Sequence, residues 1–187
     1  FSKYPKDIRM SYVKAFYDAV SLFKISLPTP IMGGVRTPTR QFSSCVLIEA
    51  DDSLDSISAS SGAIIKYVSQ RAGIGINAGR IRAEGSAIRN GEAKHTGCIP
   101  FYKHFQTAVK SWSQGSIRGG AATLFYPLWH LEVENLLVLK NNRGVDENRV
   151  RHLDYAVQFN KVMYERLIKN QNITLFSPSD VEGLYDA

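Results

Sequence analysis

Cysteine is scarce in this sequence: 187 residues contain two, Cys45 and Cys98. Two thiols cannot build a disulfide framework or a four-ligand zinc site. No apolar run approaches the roughly 20 residues a membrane span requires, and no secretory leader pattern is visible. A reducing cytoplasm is therefore the expected compartment, with no membrane partner. The four histidines, His95, His104, His130 and His152, stand in no spacing with Glu or Cys that resembles a metal site, so no metal is expected. Gly-x-Ser-x-Gly is absent, which removes support for a nucleophile-elbow hydrolase. There is no composition break and no visible repeat. Lys and Arg number 23 against 17 Asp and Glu, a net charge of +6, yet no basic block exists. Without such a run or a DNA-binding motif, nucleotide phosphates fit the excess better than duplex DNA.

What is present is ordinary globular material, 44% hydrophobic and 21% charged, enough for one domain with a core or a piece of a larger one. Residues 7–23 place Ile8, Tyr12, Phe16, Ala19, Val20 and Phe23 at helical spacing. Pro28 and Pro30 then predict an end to helix over 25–30. Residues 42–50 (FSSCVLIEA) read as a strand with Cys45 in its middle, and the consecutive Val46, Leu47 and Ile48 predict burial on both faces. Any of Asp51, Asp52 and Ser53 can cap a helix over 54–70 with Ile57, Ile64, Ile65 and Val68 inward. Residues 73–81 read as a strand and 82–97 as a long polar loop. A helix follows from Pro100, with Phe101, Phe105, Ala108 and Val109 periodic. A flexible loop spans 113–120, a strand 121–126, a helix 130–140, turns 141–148, a helix 153–169 and a strand 173–176. Alternating helices and buried strands predict an α/β fold with mostly parallel strands. Because the chain opens with Phe1 and stops just after a strand and turn, a segment with missing flanks is the expectation.

Four features bear on chemistry. Gly73-Ile74-Gly75-Ile76-Asn77-Ala78-Gly79 is one residue too long for a dinucleotide-binding turn and is followed by Arg80-Ile81-Arg82, so close backbone approach within a packed sheet is the better reading. Cys45 reads either as an inert buried thiol or as a reactive one. Arg82 and Arg89 share a polar loop with His95, and guanidinium groups suit phosphate, while Asp52 and Ser53 can accept hydroxyls such as those of a ribose. Gln114 and Arg118 lie in a glycine-rich stretch able to change shape and to read base edges.

The runs LPTPIMGGVRTPTRQFSSCVLIE (27–49), KYVSQRAGIGINAGRIRAEGS (66–86), HTGCIPFYKHFQTAVKS (95–111), SQGSIRGGAATLFYPLWHLEVE (113–134) and ITLFSPSDVEGLYDA (173–187) closely resemble the large catalytic subunit of class I ribonucleotide reductase, nearest to the bacterial and T4-like phage enzymes. The resemblance implies that residues 1–187 form about the first half of a ten-stranded α/β barrel, the partial catalytic domain of a subunit that reduces ribonucleoside diphosphates. It assigns Cys45 to the redox cysteine pair, and Thr29, Ser44, Ala72 and Gly73 to the substrate. It assigns Asp52, Ser53, Leu54, Arg82, Ile88 and Arg89 to a specificity site binding a deoxynucleoside triphosphate or ATP as allosteric effector at a dimer interface. Ser113, Gln114, Gly115, Arg118, Gly119 and Gly120 fall on the mobile loop linking effector to substrate base.

The implied partners are the rest of the large subunit, a second large subunit, a radical-generating small subunit, and thioredoxin or glutaredoxin as reductant; no cofactor is bound covalently. The family's Asn-x-Cys-x-Glu radical motif, its second redox cysteine, whose context Cys98 does not match, and its ATP cone are not found, and Trp112 replaces a commonly smaller residue. Activity is therefore expected only once the chain is completed. The alternative is a non-catalytic regulatory module that retains only the effector site.

Overall fold

The structure, a computed structural model, describes residues 2–38, 40–112, 119–181 and 183. The chain divides into two units, Phe1–Ser44 and Cys45–Ala187. In the first, helix α1 covers Lys6–Ser21, close to the predicted span, with none of its residues buried. A second helix, α2, covers Thr29–Gly34 where the prolines predict none. Pro30 sits in its first turn, where a missing N–H forfeits no helical bond, so this proline starts a helix rather than ending one.

The second unit is built on a parallel sheet of β1 (Cys45–Glu49), β2 (Gly73–Asn77), β5 (Ala122–Pro127) and β6 (Asp154–Gln158), hydrogen-bonded in that order. Each new strand adds beside the previous one in a single direction, as in a barrel wall; a doubly wound sheet would reverse at a switch point. Between β1 and β2 lies α3 (Leu54–Ser69), and before β5 lies α4 (Cys98–Lys110). A short antiparallel hairpin of β3 (Ala87–Ile88) and β4 (Ala93–Lys94) precedes α4; α5 (Val133–Leu137) and α6 (Lys161–Ile168) follow β5 and β6.

Helices α3 and α4 cover one face of the sheet. Ile64 and Val68 of α3, Tyr102, Phe105 and Val109 of α4, and Ile76 and Leu124 of the strands are all fully buried. Each such aliphatic or aromatic side chain stabilises the fold by about 1.5–3 kcal/mol. The predicted inward residues of both helices therefore hold, with Ile65 and Phe101 partly buried at the margin. The other face is open: Leu47 is 83% exposed, against the two-sided burial its apolar neighbours predict.

Further segments differ from the sequence reading: the helix expected over 130–140 is confined to Val133–Leu137, and the loop expected over 82–97 holds the β3–β4 hairpin. Cys45 opens β1 instead of lying within it. β2 stops at Asn77, whose side chain accepts from the Gly79 N–H at 3.3 Å and turns the chain. Residues 153–169 divide into strand and helix: Tyr155 and its neighbours pair with β5, and Asn160 caps α6 by accepting from the Met163 N–H at 3.0 Å. Sheet pairing overrides helical spacing there. The predicted strand at 173–176 is a single bridge between Phe176 and His130.

Candidate functional site

Beyond the carboxyl ends of β1 and β2, where parallel sheets gather their loops, lies a cavity of about 370 Å³. All six residues assigned to the effector, Asp52, Ser53, Leu54, Arg82, Ile88 and Arg89, line it. The sequence places them there by local rules. Ser53 caps α3 by accepting from the Ser56 N–H at 3.1 Å, and the Asp51 N–H donates to the Ser56 hydroxyl at 2.9 Å. Asp52 accepts from the Arg82 N–H at 3.0 Å and from its Nε at 2.7 Å, while Arg82 Nη1 donates to the Ala87 carbonyl at 2.8 Å. Arg82 is thus locked in place, with two of its three guanidinium nitrogens already engaged. Arg89 is exposed at the tip of the hairpin with φ 52, followed by Asn90 at φ 56 and Gly91 at φ 92.

Ile57, Lys94, His95, Thr96 and Phe101 complete the lining. Sequence reasoning placed His95 on the right loop and missed the others as ligand contacts, because the hairpin bringing Lys94 back is two residues per strand and leaves no periodicity to read. His95 stacks on Phe101 with ring centroids 5.2 Å apart and planes 9° apart. Burial lowers the His95 pKa below 6.5, opposed by the Asp52 carboxylate, so the ring is neutral at pH 7. Three cations face one carboxylate, beside an apolar floor of Leu54, Ile57 and Ile88. Such a lining suits a ligand that is anionic at one end and flat or apolar at the other.

Cys45 and Gly73 lie at the opposite end of the sheet, directly paired as β1 and β2 begin. Four strand steps of about 3.3 Å separate Cys45 from Glu49, about 13 Å in all, before the chain turns toward the cavity. Cys45 is exposed, which removes the reading of an inert buried thiol. Ala72 is fully buried just before Gly73. Gly119 and Gly120 lead into β5 at this same end. The Gly120 carbonyl accepts from Lys110 Nζ at 2.8 Å, and a Cβ on Gly120 would collide with the Val109 carbonyl, so only glycine fits. Ser113, Gln114, Gly115 and Arg118 lie outside the described residues. Thr29 opens α2 and Ser44 closes the first unit; both are exposed.

One grouping was missed altogether. Among the described residues, Cys98, His130 and Glu132 bring ligand-type atoms within 4.8 Å of one another, although no sequence spacing pairs His130 with Cys98. Their donors and acceptors are committed to the protein. His130 Nδ1 accepts from the Glu132 N–H at 3.1 Å, which puts the ring proton on Nε2, 2.9 Å from the Ile81 carbonyl. Glu132 Oε2 accepts from the Glu84 and Cys98 N–H groups at 3.1 and 3.0 Å. Burial, reinforced by the Glu132 carboxylate, raises the Cys98 thiol pKa well above 9.0, which disfavours the thiolate needed for nucleophilic attack.

A model of the ribonucleotide reductase barrel domain matches residues 43–187. Subunit alpha of ribonucleoside-diphosphate reductase 1 from Escherichia coli K12 is 81% identical over 187 residues, all of this chain and 25% of that protein. The subunit alpha of enterobacteria phage T4 is 69% identical over 175 residues, 94% of this chain and 23% of that protein. The alpha subunit of the Actinobacillus ureae class Id ribonucleotide reductase superposes with a TM-score of 0.66 over 78% of this chain and 25% of its own, at 20% identity, a likeness of fold. The chain spans about a quarter of the length of the curated relatives it matches. With a parallel sheet that grows in one direction and a domain match covering most of its length, the chain belongs to the ribonucleotide reductase barrel-domain family.

Proposed function

We propose that these 187 residues are part of the catalytic barrel domain of a ribonucleoside-diphosphate reductase large subunit, acting in the cytoplasm. The observation that carries this reading is the convergence of six residues, dispersed from Asp52 to Arg89, on one cationic and apolar cavity. A deoxynucleoside triphosphate or ATP binds there. Arg89 and Lys94 meet the phosphates, Asp52 and Ser53 lie within reach of the sugar hydroxyls, and the base rests on the apolar floor. Arg82 orients Asp52 as much as it attracts anions.

At the far end of the sheet, exposed Cys45 supplies one of two thiols for the reduction. The ribose 2′-hydroxyl leaves as water, its carbon gains a hydrogen, and two thiols become one disulfide, so two electrons and two protons enter. The partner thiol comes from outside this chain, since Cys98 is fully buried at the opposite end of the sheet from Cys45, its sulfur 3.3 Å from the Ile81 carbonyl. A radical-generating small subunit, a second large subunit, and thioredoxin or glutaredoxin complete the cycle. In sequence, Gly119 and Gly120 stand between α4, whose first turn lies beside the cavity, and β5, which begins at the Cys45 end, and this supports a role for the stretch in carrying effector identity to the substrate.

The test uses the E. coli subunit alpha carrying this segment in place of its own. Cys45→Ser is expected to abolish deoxynucleotide formation while leaving dTTP affinity unchanged. Arg89→Ala is expected to raise the dTTP Kd about tenfold or more, as loss of a charge-assisted bond worth about 1.5–3 kcal/mol implies. Retained turnover in Cys45→Ser would contradict the catalytic assignment. A graft that binds dTTP normally but turns over nothing even with Cys45 intact would favour a regulatory module.

A further inference from the structure

Between the end of β2 and the start of β3, residues 81–86 belong to no regular element, yet Ile81 and Ala83 are fully buried. Buried backbone groups without a ladder must find partners elsewhere. Some in this stretch pair with backbone, the Gly85 N–H with the His95 carbonyl and the Ser86 N–H with the Ala83 carbonyl, and the others find side chains remote in sequence. The Ile81 carbonyl accepts from His130 Nε2 and from the Cys98 thiol, at 2.9 and 3.3 Å. The Ala83 N–H donates to the Ser177 hydroxyl at 3.0 Å, and the Glu84 N–H to Glu132 Oε2 at 3.1 Å. Arg82, in the middle, is thereby held on both sides, and its own N–H and Nε reach Asp52.

The gripping groups are themselves fixed. His130 and Ser177 are fully buried and Glu132 is 9% exposed. The segments carrying them are joined: the Leu131 N–H donates to the Phe176 carbonyl and the Phe176 N–H to the Trp129 carbonyl, each at 3.0 Å. Glu132 also caps α4 from outside. Gly97 in the cap position has no side chain to offer, and the Cys98 N–H turns to Glu132 instead. Gly97 has φ 84, and a Cβ there would stand 2.6 Å from Glu132 Oε1, so glycine is required both by backbone and by the carboxylate.

We propose that Glu132, His130 and Ser177 are positioning residues that fix Arg82 in the nucleotide cavity and tie that cavity to the carboxyl end of β5. The assignment rests on the cavity being a nucleotide site. Cys98, His130 and Glu132 then form a structural knot rather than a metal centre, and their conjunction is explained by the loop they hold.

The experiment compares Glu132→Gln, Ser177→Ala, Arg82→Ala and the Glu132→Gln/Arg82→Ala double variant in the E. coli subunit alpha carrying this segment. Amide hydrogen exchange over 81–86 without nucleotide reads the grip alone, and dTTP titration reads its consequence. Both Glu132→Gln and Ser177→Ala are expected to speed exchange over 81–86. Glu132→Gln is expected to raise the dTTP Kd about tenfold, and Ser177→Ala, the milder change, about threefold. If Glu132 acts through Arg82, the double variant binds dTTP no more weakly than Arg82→Ala; a general loosening of the fold would instead give additive losses. Unchanged exchange in Ser177→Ala and in a folded Glu132→Gln, or additive dTTP losses, would overturn the assignment. A parent graft that binds no dTTP would refute the nucleotide reading and this assignment with it, and the exchange data would then show whether the grip exists without that role.

Discussion

Arg82 illustrates how little of a residue's role its type reveals. Its guanidinium suggests a phosphate clamp, but the structure commits its Nε to Asp52 and its Nη1 to the Ala87 carbonyl. The pair is partly shielded, at 26% and 19% side-chain exposure, so it works as an orienting contact as much as a charge. Asp52 and Ser53 were legible as a helix start and Arg89 as a cation on a polar loop, in the gaps between the long motifs that carry the resemblance. His130 and Glu132 were not, since their partners Cys98 and Glu84 are more than 30 positions away and only the fold brings them together. His130 and His95 also make stability depend on pH. Burial is the leading cause in both, and each folded-state pKa is lowered below 6.5. The unfolded chain therefore binds protons that the folded chain resists, and stability is kept above pH 6.5 and lost as pH falls below it. The Tm is expected to drop on acidification from pH 7 to pH 5.5; a flat or rising Tm over that range would contradict the assigned neutral rings.

At the scale of elements, the reading from periodicity succeeds where one face is buried and fails where pairing decides. α3 and α4 were legible because Ile57, Ile64, Val68, Phe105 and Val109 repeat at helical spacing and do face the core. Residues 153–169 carry a similar spacing in Tyr155, Phe159, Val162, Met163 and Leu167, but of these only Met163 is buried; Val162 and Leu167 are 54% and 71% exposed. There the Asn160 cap was the truer signal. The hairpin of β3 and β4 was too short to show alternation at all. Where α4 hands over to β5, Gly120 sits against the Val109 backbone and Val68, and backbone cannot give way as a flexible side chain can. Gly120→Ala is expected to destabilise by about 1–3 kcal/mol, the usual range for overpacking, read as a lower denaturant midpoint with an unchanged m-value. A shift within error would show that the junction is looser than described.

At the scale of the whole molecule, the four-stranded sheet separates two chemistries. Its carboxyl ends open onto a cationic, partly apolar cavity; its amino ends carry an exposed thiol beside Gly73. One face of the sheet is packed under α3 and α4, and the other presents Leu47 and Phe125. That division was not legible in sequence, because the run Val46-Leu47-Ile48 looks alike whichever side is covered. The parallel order of strands was, since helices and strands alternate along the chain. The most direct test of the separation is hydrogen exchange of the E. coli subunit alpha carrying this segment, with and without dTTP. Protection centred on residues 52–57 and 82–96, with residues 45–47 unchanged at their exposed start of β1, is the predicted result. Protection centred on the Cys45 end, or none around Asp52 and Arg89, would contradict it.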